Sequence, residues 1–109
     1  PAQTIEGAVI EVLHIISAKG LASEGDVARL LAIGPKTLQR VLKAEGTSFR
    51  SLQSQFIESR ARLLLSETSR PISEIAKSLG YTEPKSFRRA FKVWTGSSPS
   101  AFRSAYRTH

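Results

Sequence analysis

Apolar residues recur every three or four positions along most of the chain, and the clearest case is the stretch 82–94. Phe87, Phe91 and Trp94 are spaced as one face of a helix, which predicts an apolar stripe packed on a core. The basic residues of this stretch fall on another side at the same spacing: Lys85, Arg88, Arg89 and Lys92. Like charges at this spacing repel one another mildly on an isolated helix. The pattern therefore indicates a helix whose outer face meets a polyanion.

A short amphipathic helix precedes this basic helix. Its apolar residues share helical spacing and come just before Gly80: Ile72, Ile75, Ala76 and Leu79. We expect Thr82 to be the N-cap of the basic helix, with Glu83 at the positive end of the helix dipole and Pro84 in the first turn. A helix, a Gly-containing turn and a second helix form a helix-turn-helix, whose second helix enters the major groove of DNA. The alternative is a solvated basic face on an ordinary bundle helix.

The same pattern occurs earlier in the chain. Val27-Ala28 and Leu31 match Ile75-Ala76 and Leu79 at a constant offset. The turn that follows is one residue longer in the later unit. In the helix after the turn, the two units match residue by residue: Lys36, Leu38, Gln39, Arg40, Leu42 and Lys43 correspond to Lys85, Phe87, Arg88, Arg89, Phe91 and Lys92. An internal repeat with polar and basic residues in the same outward positions favours two reading helices over a generic bundle.

The pattern predicts four helices besides the two reading helices and the short helix over 72–79. A first helix is predicted over 4–19, with His14 as an ordinary structural histidine and Gly20 after its end. Ser23 and Asp26 form a capping box for the short helix that precedes the first reading helix, which Pro35 opens and Gly46 follows. Ser98 is expected to cap a last helix that begins at Pro99 and packs through Phe102 and Tyr106.

The fourth of these is a long helix from Ser48 to about Thr68, between the two repeats. Its predicted inner stripe is Phe49, Leu52, Phe56, Leu63 and Leu64, with Ala61 and Leu65 beside it. At about 1.5 Å per residue such a helix is roughly 30 Å long, close to the ~34 Å of one DNA turn. It is therefore long enough to separate two reading helices by about one turn of the duplex, although it could also be only the longest helix of a bundle.

The charge of the chain supports a nucleic-acid partner. The net charge is +7 and the pI is about 10.4. Residues 1–59 hold six basic and six acidic residues, whereas residues 60–109 hold ten basic and three acidic ones. The whole excess therefore lies in the half with the basic helix, which fits a polyanionic partner better than general solubility.

Composition argues against several other classes. The 40% of hydrophobic residues form no long alternating run, which indicates an all-α fold. The chain has no Cys, only His14 and His109 as histidines, and no convincing carboxylate pair, so we expect neither an enzyme, a metal site nor a cofactor. No apolar run approaches a membrane span and no signal sequence opens the chain, which predicts a cytoplasmic, nucleoid-associated protein without a membrane partner. RNA is disfavoured because the aromatic residues lie at core spacing.

The motifs of the second repeat resemble the signature of the arabinose-regulator (AraC/XylS) family of bacterial transcription factors. They are Ile72-x-x-Ile75-Ala76-x-x-Leu79-Gly80-Tyr81, Ser86-Phe87-x-Arg89-Ala90-Phe91-Lys92, Gly96 and Ser98-Pro99-x-x-Phe102-Arg103. The first repeat is similar in Leu38-Gln39-Arg40-x-Leu42-x-x-x-Gly46-x-Ser48-Phe49. The resemblance implies one seven-helix DNA-binding domain over 1–109, a homeodomain-like tandem of two helix-turn-helix units (4–46 and 71–107) joined by a central helix (48–68).

The resemblance also implies an effector-sensing or dimerising domain on the N-terminal side, outside this chain. Pro1 and the absence of Met likewise suggest a piece of a longer protein. We expect the piece to be monomeric, the full protein to form dimers, and transcription to be activated through RNA polymerase. The main alternative is a basic helical interaction module that docks an acidic partner such as that polymerase.

The outward residues early in each reading helix are the ones that meet base edges in such proteins. The expected base-contacting residues are Lys36, Gln39, Arg40, Lys85, Arg88 and Arg89. The expected phosphate-contacting residues are Thr37, Lys43, Ser48, Thr82, Ser86, Lys92, Ser98 and Arg103.

The first repeat departs from the family pattern at three positions. Gly34 stands where relatives often have a capping Ser, and Ala32 occupies a turn that Gly would fit more easily. Ile57 stands where many relatives carry Arg. Because this repeat also has no charge excess, we expect it to contribute less base discrimination.

Overall fold

The computed structural model describes residues 4–16 and 23–107, and these residues form seven helices and no strand. The helices are α1 (Ile5–Ile16), α2 (Glu24–Leu30), α3 (Pro35–Ala44), α4 (Phe49–Glu67), α5 (Ile72–Ser78), α6 (Pro84–Thr95) and α7 (Pro99–Arg107). The all-α class and the tandem helix-turn-helix order are confirmed. The predicted end of the first helix, at 17–20, lies outside the described residues.

The chain divides into two compact units, Pro1–Phe56 and Ile57–His109, and the boundary falls inside α4. The core of unit 1 is drawn from α1 to α3 and the first half of α4: Val9, Leu13, Val27, Ala28, Leu38, Leu42, Phe49, Leu52 and Phe56. The edge of the His14 ring packs on Phe56, with ring centroids 4.9 Å apart, which agrees with a structural role for this histidine.

The core of unit 2 is aromatic at its centre. It contains Ile57, Ala61, Leu65, Ile75, Ala76, Leu79, Phe87 and Phe91. Around Phe91 lie Phe87, Trp94 and Phe102, with ring centroids 5.9, 6.4 and 5.3 Å away. Ile57, one of the positions that departs from the family pattern, contributes to this core with only 7% of its surface exposed.

The predicted inner stripe of α4 was wrong at Leu63, whose surface is 47% exposed. Ala61 and Leu65, which were expected only beside the stripe, are fully buried instead. Residues two apart on a helix point about 200° apart around its axis. Leu63 therefore cannot share a buried face with both Ala61 and Leu65.

Most of the predicted helix starts are confirmed by their hydrogen bonds. Ser23 and Asp26 form the reciprocal capping box of α2. The hydrogen bonds that the carboxylate of Asp26 accepts from the backbone N–H and the side chain of Ser23 hold the pKa of Asp26 below its usual value. The hydroxyls of Ser48 and Ser98 accept from the N–H groups of Ser51 and Ala101, both at 3.1 Å.

Thr82 is not the N-cap of α6. That position belongs to Glu83, whose side chain makes no capping bond. Pro84 is the first helical residue, because its fixed backbone angle suits that position, and the residue before it then becomes the cap. Gly34 likewise caps α3 without a side-chain bond.

The two helix-turn-helix turns share one backbone geometry. The N–H of Ile33 donates to the carbonyl of Ala28 at 3.1 Å, and the N–H of Tyr81 donates to that of Ala76 at 3.0 Å. Within each turn one residue takes a left-handed conformation, with φ 60° at Ala32 in the first turn and φ 94° at Gly80 in the second. A Cβ is unfavourable in that conformation, so the first turn carries strain that the second avoids.

We expect Ala32→Gly to raise the free energy of unfolding by about 0.5–1 kcal/mol. Relief of the left-handed strain, about 1–2 kcal/mol, is partly offset by the greater freedom of Gly in the unfolded chain. Gly80→Ala, at the equivalent turn of unit 2, should lower the same quantity by about 1 kcal/mol. Urea unfolding followed by circular dichroism measures both changes, and equal signs for the two variants would contradict the shared turn geometry.

Candidate nucleic-acid interface

Each reading helix is fixed in rotation by two fully buried residues. Leu38 and Leu42 hold α3 on the core of unit 1, and Phe87 and Phe91 hold α6 on the core of unit 2. These anchors lie four residues apart, on one face, so the opposite face of each helix is turned to solvent. The sequence prediction of an inner and an outer face is confirmed for both helices.

The outer face of α6 is cationic and unpaired. Lys85, Arg88, Arg89 and Lys92 are all exposed. In the part of the chain that the structure describes, none of the four has an ion-pair or hydrogen-bond partner. Val93, which the sequence analysis did not single out, adds an apolar element to this face, with 80% of its surface exposed.

The outer face of α3 is less cationic. Lys36, Gln39, Arg40 and Lys43 are exposed, while Thr37 is half-buried. The amide of Gln39 is engaged, because its Nε2 donates to Oε1 of Glu24 at 2.9 Å. Glu24 is the first residue of α2 and brings a carboxylate to the reading face, a feature that the sequence analysis missed.

Six of the eight expected phosphate-contacting residues are either exposed or cap a helix. Lys43, Thr82, Ser86 and Lys92 are exposed, and the hydroxyls of Ser48 and Ser98 cap α4 and α7.

An open depression of about 340 Å³ lies beside the start of α6 and is lined by Ser73, Glu74, Lys77, Tyr81, Thr82 and Pro84. Burial raises the pKa of the Tyr81 hydroxyl.

The guanidinium of Arg103 has another role than the one expected. Its Nε donates to the carbonyl of Leu65 at 3.1 Å, and one terminal nitrogen donates to the carbonyl of Thr68 at 3.2 Å. Arg107 donates to the same Thr68 carbonyl at 2.7 Å. Burial lowers the pKa of Arg103, and the positive charge of Arg107 acts in the same direction. The phosphate contact of Arg103 stays a prediction that this geometry does not favour.

These two arginines cap the C-terminal end of α4. The last carbonyls of a helix lack partners within the helix and carry its negative partial charge. Arg103 and Arg107 satisfy them from α7 and thereby tie α7 to α4 within unit 2. From the sequence, Arg103 had been expected only to contact a phosphate.

Other chemistries find little support in the described residues. No three acidic or histidine side chains among residues 4–16 and 23–107 come together as a metal site would require. No described helix is long and apolar enough to cross a membrane.

This chain is similar to a known family model and to named regulatory proteins. Residues 27–105 match the family model described as a helix-turn-helix domain. The chain is 38% identical over 79 residues to the HTH-type transcriptional regulator VqsM of Pseudomonas aeruginosa; the matched region covers 72% of this chain and 24% of that protein. It is 35% identical over 79 residues to the arabinose operon regulatory protein of Escherichia coli; here the matched region covers 72% of this chain and 27% of that protein.

A solved structure supports the same assignment. The DNA-binding domain of AdpA, crystallised with a target DNA, matches with a TM-score of 0.75 over 98% of this chain and 96% of that one, at 23% identity. At that identity the likeness shows the fold alone. The matched family model and the relatives place this chain in the AraC-type helix-turn-helix family, so the expected family is confirmed. The chain spans about a quarter of the curated relatives' length, and both relatives are named as regulators rather than enzymes.

We expect Arg103→Gln to lower the free energy of unfolding by about 1.5–3 kcal/mol, because hydrogen bonds from a charged donor are lost at the end of α4. Arg88→Gln is the matched control, since Arg88 is exposed and unpaired, and its effect should stay within about 0.5 kcal/mol. Thermal unfolding measures both variants. An Arg103→Gln protein as stable as the control would show that the cap does not contribute.

Proposed function

We propose that this domain binds double-stranded DNA sequence-specifically, with α3 and α6 as major-groove reading helices, and thereby regulates bacterial transcription. The observation that carries the proposal is the outer face of α6: four exposed cations without partners among the described residues, on a helix held to the core by the fully buried Phe87 and Phe91. Like charges at this spacing repel one another mildly, and a bound polyanion would relieve that repulsion. The named activities of the relatives and the DNA complex of AdpA support the same proposal.

The proposed roles follow from the chemistry of the side chains. Arg40, Arg88 and Arg89 suit guanine, whose O6 and N7 accept two parallel hydrogen bonds from a guanidinium. Gln39 suits adenine, which offers one donor and one acceptor. Lys36 and Lys85 complete the proposed base-contacting set.

The remaining groups would position the duplex. Lys43, Lys92 and the hydroxyls of Thr82 and Ser86 are exposed beside the reading faces. Backbone N–H groups at the starts of α4 and α7, near Ser48 and Ser98, are suited to phosphate oxygens. The expected target is an asymmetric site of about two helical turns.

Several finer features remain predictions. We propose that the chain is a single DNA-binding domain of a longer regulator, that it is not itself an enzyme, and that it acts in the cytoplasm at the nucleoid. Activation rather than repression, contact with RNA polymerase, a monomeric state of this piece and a dimeric full protein are expectations from family resemblance. Docking to an acidic protein instead of DNA remains the alternative function, and no observed contact favours it.

Affinity for duplex DNA should fall steeply with salt. For six or more phosphate contacts we expect a loss on the order of a thousandfold between 50 and 200 mM salt, because released counterions drive binding. Fluorescence anisotropy with a labelled duplex measures the slope. Weak binding to every duplex at 50 mM would contradict the proposed function and favour the protein-docking alternative.

Arg89→Ala and Arg40→Ala should each relax the preference for particular base pairs by about 1–3 kcal/mol. Lys92→Ala is the matched control, because loss of a phosphate contact should weaken all sequences about equally and lower the salt slope by about one. Selection of bound duplexes from a random pool, repeated for each variant, compares the preferences. A uniform loss for Arg89→Ala or Arg40→Ala would assign that residue to a phosphate.

A further inference from the structure

The carboxylate of Glu24 lies against the outer face of α3 and engages one side chain there. Gln39 Nε2 donates to Glu24 Oε1 at 2.9 Å. Among the six proposed base-contacting residues, all within the described part of the chain, only Gln39 has a hydrogen-bond partner. Glu24 is held in place as the first residue of α2, directly after the Ser23 capping box.

The chemistry of the pair fixes which way the amide of Gln39 faces. An ionised carboxylate has no proton to donate, so it can only accept, and the amide must turn its NH2 group toward Glu24. One of the two N–H bonds is then used within the protein. The groups left for a base are one N–H and the carbonyl oxygen Oε1.

That remaining set distinguishes the two purines. The major-groove edge of adenine offers an acceptor, N7, and a donor, the N6 amino group, which match one N–H and one carbonyl oxygen. Guanine offers two acceptors, N7 and O6, and a lone Gln can satisfy both only by using both of its N–H bonds. With one N–H held by Glu24, this second arrangement is not available.

We propose that Glu24 is a positioning residue that makes Gln39 specific for adenine against guanine. This inference rests on the proposed function, because it requires α3 to lie in the major groove. Unit 2 has no such pair: Ile72 stands at the position equivalent to Glu24, and Arg88 at that of Gln39. The pair therefore gives unit 1, in which basic and acidic residues are nearly balanced, selectivity through the orientation of an uncharged side chain.

The test begins with a duplex selected by the wild-type domain. Every base pair is then varied in turn, and binding constants are compared for the wild type and Gln39→Ala. The pair whose preference disappears in Gln39→Ala is the one that Gln39 reads. At that pair the wild type should prefer adenine over guanine by about tenfold or more.

Glu24→Ala should reduce this preference by about five- to tenfold, mainly through tighter binding of the guanine duplex. Glu24→Asp keeps the charge at the start of α2 but shortens the side chain, so it should show the same loss with the stability of α2 retained. Glu24→Gln has an amide that can donate as well as accept, so it no longer fixes the orientation of the Gln39 amide and should also reduce the preference. Glu11→Gln, on the exposed side of α1, is the control for loss of an acidic charge and should leave the preference unchanged.

A double-mutant cycle separates positioning from direct contact. If Glu24 acts through Gln39, Glu24→Ala should change the adenine-to-guanine ratio in the wild type and not in Gln39→Ala. The proposal is overturned if both backgrounds change equally, if Glu24→Ala leaves the ratio intact, or if Gln39→Ala alters no preference. Failure of the proposed function would look different, since no variant, the wild type included, would then bind duplex DNA with a strong salt dependence.

Discussion

The burial of two anchors on each reading helix is the constraint on which the functional surface depends. Phe87 and Phe91 are fully excluded from solvent, and so are Leu38 and Leu42. Fully burying side chains of this size stabilises the fold by about 1.5–3 kcal/mol each, which is far more than mild repulsion among surface cations costs. The helices therefore cannot rotate to relieve that repulsion, and the basic residues stay in solvent, available to a polyanion.

Side chains that are distant in sequence form hydrogen bonds with backbone groups at the ends of two helices. The carboxylate of Glu45, just after α3, accepts the N–H groups of Ile5 and Glu6 at 3.2 and 2.9 Å and so caps α1. Arg103 does the converse for the last carbonyls of α4. Both arrangements place a charge where it complements a helix dipole. Each unit is thus held together by polar contacts at helix ends as well as by its core.

The two repeats use one backbone design with different chemistry. Both have the same bond across the turn and the same pair of buried anchors in the reading helix. Unit 2 combines a Gly at the turn with four unpaired cations, whereas unit 1 accepts the strain of Ala32 and sets a carboxylate beside Gln39. Unit 2 therefore presents four positive charges on its reading helix, whereas unit 1 presents three together with a neutral amide that a carboxylate holds.

Features that depend on local periodicity and short-range hydrogen bonds could be predicted from the order of the amino acids. Apolar spacing gave the helices and their inner faces, capping residues such as Ser48 gave most helix starts, and the repeat gave the matching turns. The tertiary structure alone decided the partners of Glu24, Glu45 and Arg103, as well as the exposure of Leu63. The reason is physical: periodicity fixes how a side chain points from its own helix, but what lies opposite depends on how separate helices pack together.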